Sequence, residues 1–289
     1  MDSLTLTSDD GVALAARLYR DAGPTKGAVL IGGAMGVRQD YYAPFAQWLA
    51  AQGYAVMSFD YRGMGDSRRG SLRGFDADLF DWARDYDTAI DALRERAPGA
   101  PIYLIGHSLG AQLPGLLRNR AHIAGMVSVA AGSGYWRDNA PQLKRIVLYF
   151  WHVLVPVATA VCGYFPGKRI GKVGDLPRGV ILQWRRWCLD PRYHVGAEGA
   201  AVREQFEQVR FPVVALSITD DELMTERGTR VLVDCYPNAP RRIERVAPAD
   251  VSAKRIGHFG FFRDQFQSSL WARSVALLQG FHPLKETTA

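Results

Sequence analysis

Five short, almost wholly apolar runs constrain the fold of this chain more than any other feature. They lie at 27–31, 54–59, 102–105, 123–130 and 213–218, and helical spacing fills 41–52, 78–96, 109–119, 226–236 and 262–279. A strand with one wet face alternates apolar and polar residues, whereas a strand buried on both faces is apolar throughout. Strands of this kind alternating with helices predict an α/β architecture, a mostly parallel central sheet flanked by helices. Arg242 to Val246 reads as one further strand. At the N-terminus, alternating Leu4–Thr7 and the apolar-rich Val12–Tyr19 are separated by Asp9-Asp10-Gly11, a turn signal that predicts a β-hairpin.

Residues 133–208 break the alternation. They hold four of the seven tryptophans, at 136, 151, 184 and 187, and carry no clear strand signal. The expected organisation is a core of 1–132 and 209–289 with a helical cap or lid inserted at 133–208. Within the insertion, Ile146 to Phe165 is 20 residues without a charged side chain, the length of a bilayer span. A span here would put the two halves of one core on opposite sides of a membrane. A buried helix pair or an interfacial, lipid-touching lid is therefore expected.

Hydrophobic residues at 48% and charged residues at 22% fit a core-forming globular chain. The net charge of +6 would suit an anionic partner, but the basic residues are scattered. Their densest groups, Arg68-Arg69, Lys168-Arg169 with Lys172, Arg185-Arg186 and Arg241-Arg242, carry no nucleic-acid motif, so no nucleic-acid partner is expected. Cys162, Cys188 and Cys235 show neither metal spacing nor a disulfide framework, and Met1-Asp2-Ser3-Leu4 opens no signal peptide. A cytoplasmic protein without metal or cofactor is expected; GxGxxG is absent.

The chemistry centres on LIGHSLGAQ, residues 104–112. A strand, a tight turn and a helix are what a nucleophile elbow needs, with small residues two before and two after the serine. Gly106 and Gly110 meet that need around Ser108. A serine hydroxyl needs a base to take its proton and an acid to orient the base. The elbow architecture places the acid after a late strand, where Thr219-Asp220-Asp221-Glu222 follows 213–218. It places the histidine after the last strand, where Ile256-Gly257-His258 lies. His107, Asp60 and Arg62 read as structural; His122, His152, His194 and His282 have no partner pattern.

With VLIGGAMG, FDYRGMGDS, IGHSLG, LSITDDELM and IGHFGFF, spanning 29 to 262, the sequence resembles the α/β-hydrolase superfamily of serine hydrolases. GVRQDYYAPFA with IGHFGFFR is similar to a bacterial branch of predicted hydrolases. The resemblance implies Ser108 as nucleophile, His258 as general base and acid, and Asp221 as orienting acid, with Asp220 as its rival. It implies an oxyanion hole of backbone N–H groups from Leu109 and Ala34, with Met35 as the alternative. Gly32 stands where many members carry His. The expected reaction is cofactor-free cleavage of a small acyl ester or thioester, with Trp136, Trp151, Trp184 and Trp187 of the lid contacting substrate. The rival readings are an acyltransferase with the same triad, a non-enzymatic scaffold, and a membrane-associated lipase.

Overall fold

The computed structural model describes residues 1–21, 23–171 and 173–281; Lys172 and His282 lie outside them. The hairpin forms first, from β1 (Asp2–Thr7) and β2 (Ala13–Tyr19), paired antiparallel. Then come β3 (Ala28–Gly32), α1 (Ala43–Ala51), β4 (Ala55–Phe59), α2 (Leu79–Arg96), β5 (Ile102–His107) and β6 (Ile123–Val129). Between β6 and the next sheet strand, in the stretch expected to form an insertion, lie α3 (Pro141–Tyr149), α4 (Val155–Cys162), β7 (Phe165–Pro166), β8 (Asp175–Leu176), α5 (Arg178–Leu189), α6 (Tyr193–Ala197) and α7 (Ala200–Glu207). The core resumes with β9 (Val213–Ile218), α8 (Glu226–Asp234), β10 (Arg241–Val246), α9 (Gly257–Gly260) and α10 (Ala272–Gly280).

Eight strands make one sheet in the order β1-β2-β4-β3-β5-β6-β9-β10, parallel from β4 to β10. On β5, Ile102 and Leu104 face one core cluster while Tyr103 and Ile105 face the other. This two-sided burial is why the run is apolar throughout. One face packs α2 through Trp82, Tyr86 and Ile90, and the other packs α1 and α10 through Phe45, Leu49 and Leu278. Helix α2 starts sharply. Asp78 accepts N–H bonds from Phe80 and Asp81, and Asp81 accepts one back from Asp78 N–H, a reciprocal cap.

Two expectations need correction. The helix expected at 109–119 is instead three short 3-10 turns, Ser108–Ala111, Pro114–Leu116 and Arg118–His122. Pro114 removes a backbone donor, and Gly110 and Gly115 are poor helix formers. The insertion is not purely helical, because β7 and β8 pair as a two-residue ladder.

Because β3, β5, β9 and β10 are parallel, the loops that follow them leave the sheet at one edge. The chain order also reverses there: β3 is flanked by β4 on one side and β5 on the other. A crevice at such a switch point is where open α/β sheets bind ligands.

Candidate active site

Ser108 directly follows β5 and has a φ of 51°, the left-handed region that costs a non-glycine residue about 1–3 kcal/mol. The turn is held by crowding. A Cβ on Gly110 would sit 2.1 Å from the Gly32 carbonyl oxygen, and one on Gly106 would sit 2.7 Å from the Ala111 backbone. The turn after β5 thus meets the end of β3 at backbone distance. The Gly32 departure has a cause on the opposite side: a Cβ there would lie 2.4 Å from the Tyr86 hydroxyl. Tyr86 fills the space a histidine side chain would need.

Three consecutive acids after β9 grip the loop that carries His258. Asp220 accepts N–H bonds from Ile256 at 3.0 Å and Gly257 at 3.1 Å. Asp221 Oδ2 pairs with His258 Nδ1 at 2.9 Å, both side chains being buried. Asp221 Oδ1 accepts the Leu223 and Met224 N–H groups at 2.7 and 2.9 Å. Glu222 accepts the His258 N–H at 3.0 Å and pairs with Arg255 at 3.3 Å. Burial alone would raise the Glu222 carboxyl, but these N–H donors and the Arg255 guanidinium bring it below its usual range. The two aspartates thus have different partners: Asp221 reaches the imidazole, and Asp220 reaches only the Ile256 and Gly257 backbone before it.

His258 lies beside the elbow. Its carbonyl oxygen accepts from His107 Nε2 at 3.0 Å, and the two rings have centroids 5.2 Å apart. Among the described residues no hydrogen bond joins Ser108 Oγ to the His258 ring. Such bonds are often long in unliganded enzymes and tighten with substrate.

The oxyanion expectation changes. Ala34, the first-choice donor, gives its N–H to the Tyr42 hydroxyl at 2.8 Å. The Ala34 carbonyl in turn accepts Val37 N–H at 3.1 Å, closing a turn with Gly36 at φ 74°. In a trans peptide the N–H opposes the C=O, so the Met35 N–H points away from that closure. No partner for it appears among the described residues. Leu109 is the second residue of a single 3-10 turn, where an N–H lacks an intrahelical acceptor.

The four tryptophans divide. Trp187 is fully buried and gives its indole N–H to Glu198, with Tyr193 and His194 against its ring. Its expected substrate contact is corrected to internal packing. Trp151 is also interior, edge-on to Trp184 with centroids 5.1 Å apart. Trp184 donates to the Tyr193 hydroxyl at 3.1 Å, which donates to Gln112 at 2.8 Å, four residues beyond Ser108. Trp136 is half-buried under the Arg137 guanidinium.

Asp60 and Arg62, read as structural, both sit in internal polar networks. Asp60 accepts from the Gln39 and Asp66 N–H groups, both at 2.8 Å. Arg62 is buried between Asp85 and Asp10. Sequence reasoning missed Tyr42. Its partners lie 8 and 65 residues away in the chain, and no local pattern marks them.

Comparison with known proteins bears on the family and the fold. Human monoglyceride lipase is 28% identical over 127 residues, 43% of this chain and 41% of that one. The mouse enzyme is 26% identical over 156 residues, so the matched stretch spans about half the length of these relatives at most. A soluble variant of the Saccharomyces cerevisiae monoglyceride lipase, solved with a substrate analogue, superposes with a TM-score of 0.69 at 13% identity. It covers 98% of this chain and 96% of that one. The Pyrococcus furiosus esterase Pf2001 superposes at 0.59 with 15% identity, covering 97% and 90%. The serine aminopeptidase S33 family model matches residues 18–173, which include the elbow but neither Asp221 nor His258. On that match, over more than half its length, the chain belongs to the serine aminopeptidase S33 family, and its sheet is that of the α/β-hydrolase fold.

Proposed function

We propose that the protein cleaves a carboxylic ester or thioester through an acyl-Ser108 intermediate. The observation that carries this is the Asp221–His258 pair delivered beside a serine held at a φ of 51°. Asp221 accepts a hydrogen bond from Nδ1–H and so holds the proton on that nitrogen, which leaves the Nε2 lone pair to take a proton. Ser108 Oγ attacks the substrate carbonyl carbon as His258 Nε2 removes its proton. The Met35 and Leu109 N–H groups face the developing oxyanion. When the tetrahedral species collapses, the leaving alcohol or thiol takes the proton from His258. Water then gives a proton to Nε2 and attacks the acyl carbon, and Ser108 departs with that proton restored.

Residues 133–208 act as a lid over this site, anchored by Tyr193 to Gln112 and by Gln183 to the Leu79 N–H. The monoglyceride lipase relatives favour a fatty-acyl glycerol monoester within the ester class. The test is a chain-length series of aryl esters and acyl thioesters, with fluorophosphonate labelling, on wild type and Ser108→Ala. Labelling and turnover that survive in Ser108→Ala would remove the serine from the mechanism.

A second reading concerns where the substrate is met. Helices α3 and α4 are joined by a π-helical turn at Phe150–Leu154 into one continuous 22-residue helix, Pro141–Cys162; its apolar stretch has a mean hydropathy of 1.7, and most of it lies outside the packed interior. Ile146, Tyr149, Val153, Val157 and Val161 are exposed at 55%, 62%, 44%, 58% and 72%. Their spacing of three and four residues makes one apolar stripe. The helix connects β6 to β9, which are neighbours in one sheet, so it cannot span a bilayer. It lies on a lipid surface instead, with Lys144 and Arg145 near one end and Arg73 packed against Gly163 at the other.

A further inference from the structure

A buried chain of hydrogen bonds crosses the site without touching any atom that reacts. It runs from the Ala34 N–H to the Tyr42 hydroxyl at 2.8 Å, from that hydroxyl to His107 Nδ1 at 2.9 Å, and from His107 Nε2 to the His258 carbonyl at 3.0 Å. Tyr42, His107 and His258 are all buried.

Every proton in the chain has one possible place. A carbonyl oxygen only accepts, so His107 Nε2 carries the hydrogen. A neutral imidazole then accepts at Nδ1, so Tyr42 gives its single proton there and receives the Ala34 N–H on a lone pair. Burial, with the neighbouring His258, pushes His107 well below its ordinary range and keeps it neutral. All donors and acceptors along the chain are satisfied, the condition under which a buried polar network rigidifies a site.

The two ends carry the two halves of the proposed machinery. At one end, Tyr42 fixes the Ala34 N–H while Val37 fixes the Ala34 carbonyl, so the direction of the Met35 N–H is set. At the other end, His258 is held at three points: its N–H by Glu222, its Nδ1 by Asp221 and its carbonyl by His107. We infer that Tyr42 and His107 are positioning residues that lock the oxyanion strap and the His258 loop into one unit. The inference rests on the Ser108 mechanism proposed above.

The test is steady-state hydrolysis of p-nitrophenyl butyrate by wild type, Tyr42→Phe, His107→Leu, His107→Gln, the Tyr42→Phe/His107→Leu double variant and Ser108→Ala. Thermal melts are recorded for each. Misplacement on the ångström scale costs rate, so Tyr42→Phe and His107→Leu should each lower kcat about 10- to 100-fold with KM within about 3-fold. One continuous chain can be broken only once, so the double variant should be no slower than the slower single variant. The amide introduced by His107→Gln can still donate to the His258 carbonyl, so that variant should recover most of the loss. Folded single variants that keep kcat within about two-fold, or losses that multiply in the double variant, would overturn the inference. Should Tyr42→Phe fail to fold, equal kcat in His107→Leu and His107→Gln would overturn it instead. Turnover surviving in Ser108→Ala would overturn the mechanism and the inference together. Loss of turnover there beside a fully active Tyr42→Phe would overturn the inference alone.

Discussion

Asp221 and His258 meet at 2.9 Å through Oδ2 and Nδ1, while the other oxygen of Asp221 is held by two backbone N–H groups of its own loop. The carboxylate is thus oriented by its own loop as well as by the imidazole. Asp220, one residue earlier, spends both oxygens on the Ile256 and Gly257 backbone. Neighbours in sequence therefore do different work, one on a ring and one on a loop.

Substituting the two separates those roles. Asp221→Asn keeps the shape and loses the charge that favours the Nδ1–H tautomer, so kcat should fall by about 10³- to 10⁴-fold. Asp220→Asn keeps one acceptor for the loop and should cost about 10-fold. Aryl-ester kinetics on both variants check this, and equal losses would return the acid assignment to an open choice.

The elbow predicts a stability effect. Alanine at Gly110 would put a methyl 2.1 Å from the Gly32 backbone oxygen, which no side-chain rotation can relieve. Gly110→Ala should destabilise by at least about 2 kcal/mol and lose fluorophosphonate labelling. Gly70 has open space around its Cβ position, and Gly70→Ala should melt within about 0.5 kcal/mol of wild type. Denaturant melts of the pair read the difference.

Much of this frame was legible because its strands are buried on both faces. A run such as Val213–Ile218 carries no ambiguity of period, and its observed bounds match the expected ones. The order serine, acid, histidine followed from parallel strands sharing one loop edge. What the sequence did not display depends on contacts between distant segments. Tyr42 looks like any aromatic near a helix start until it meets Ala34 and His107. The Ala34 amide looks available until that hydroxyl takes it. Trp187 looks like a substrate contact until Glu198 accepts its indole N–H inside the insertion. The helix missing after Ser108 was in principle readable from Pro114 and Gly115, which outweigh the apolar spacing around them.

His194 makes the insertion acid-sensitive. It is fully buried, stacks on Phe206 with centroids 4.3 Å apart, and neither ring nitrogen has a partner among the described residues. Burial lowers it from 6.5 to about 3. The unfolded chain therefore binds the extra proton first as pH falls below 6.5. Stability from this group is complete above 6.5 and is lost progressively as the pH drops toward 3. His194→Phe keeps the stacking and removes the titration, so its melting temperature should fall less than that of wild type between pH 6.5 and 4. Parallel melting curves for the two proteins would expose this idea as wrong.

The exposed stripe on the helix Pro141–Cys162 sets the last prediction. Five partly exposed apolar side chains, brought into an interface, contribute on the order of 5 kcal/mol. Replacing three of them in Tyr149→Ser/Val153→Ser/Val157→Ser removes about 3 kcal/mol, or about 100-fold in partitioning. These positions are on the surface, so the fold should keep its melting temperature and its turnover of a soluble aryl ester. Wild type should co-sediment with phosphatidylglycerol–phosphatidylcholine vesicles, and the triple variant should stay in the supernatant. Added salt should weaken the wild-type binding by screening Lys144 and Arg145 without abolishing the apolar part. Equal sedimentation of the two proteins would mean that the stripe does not meet lipid.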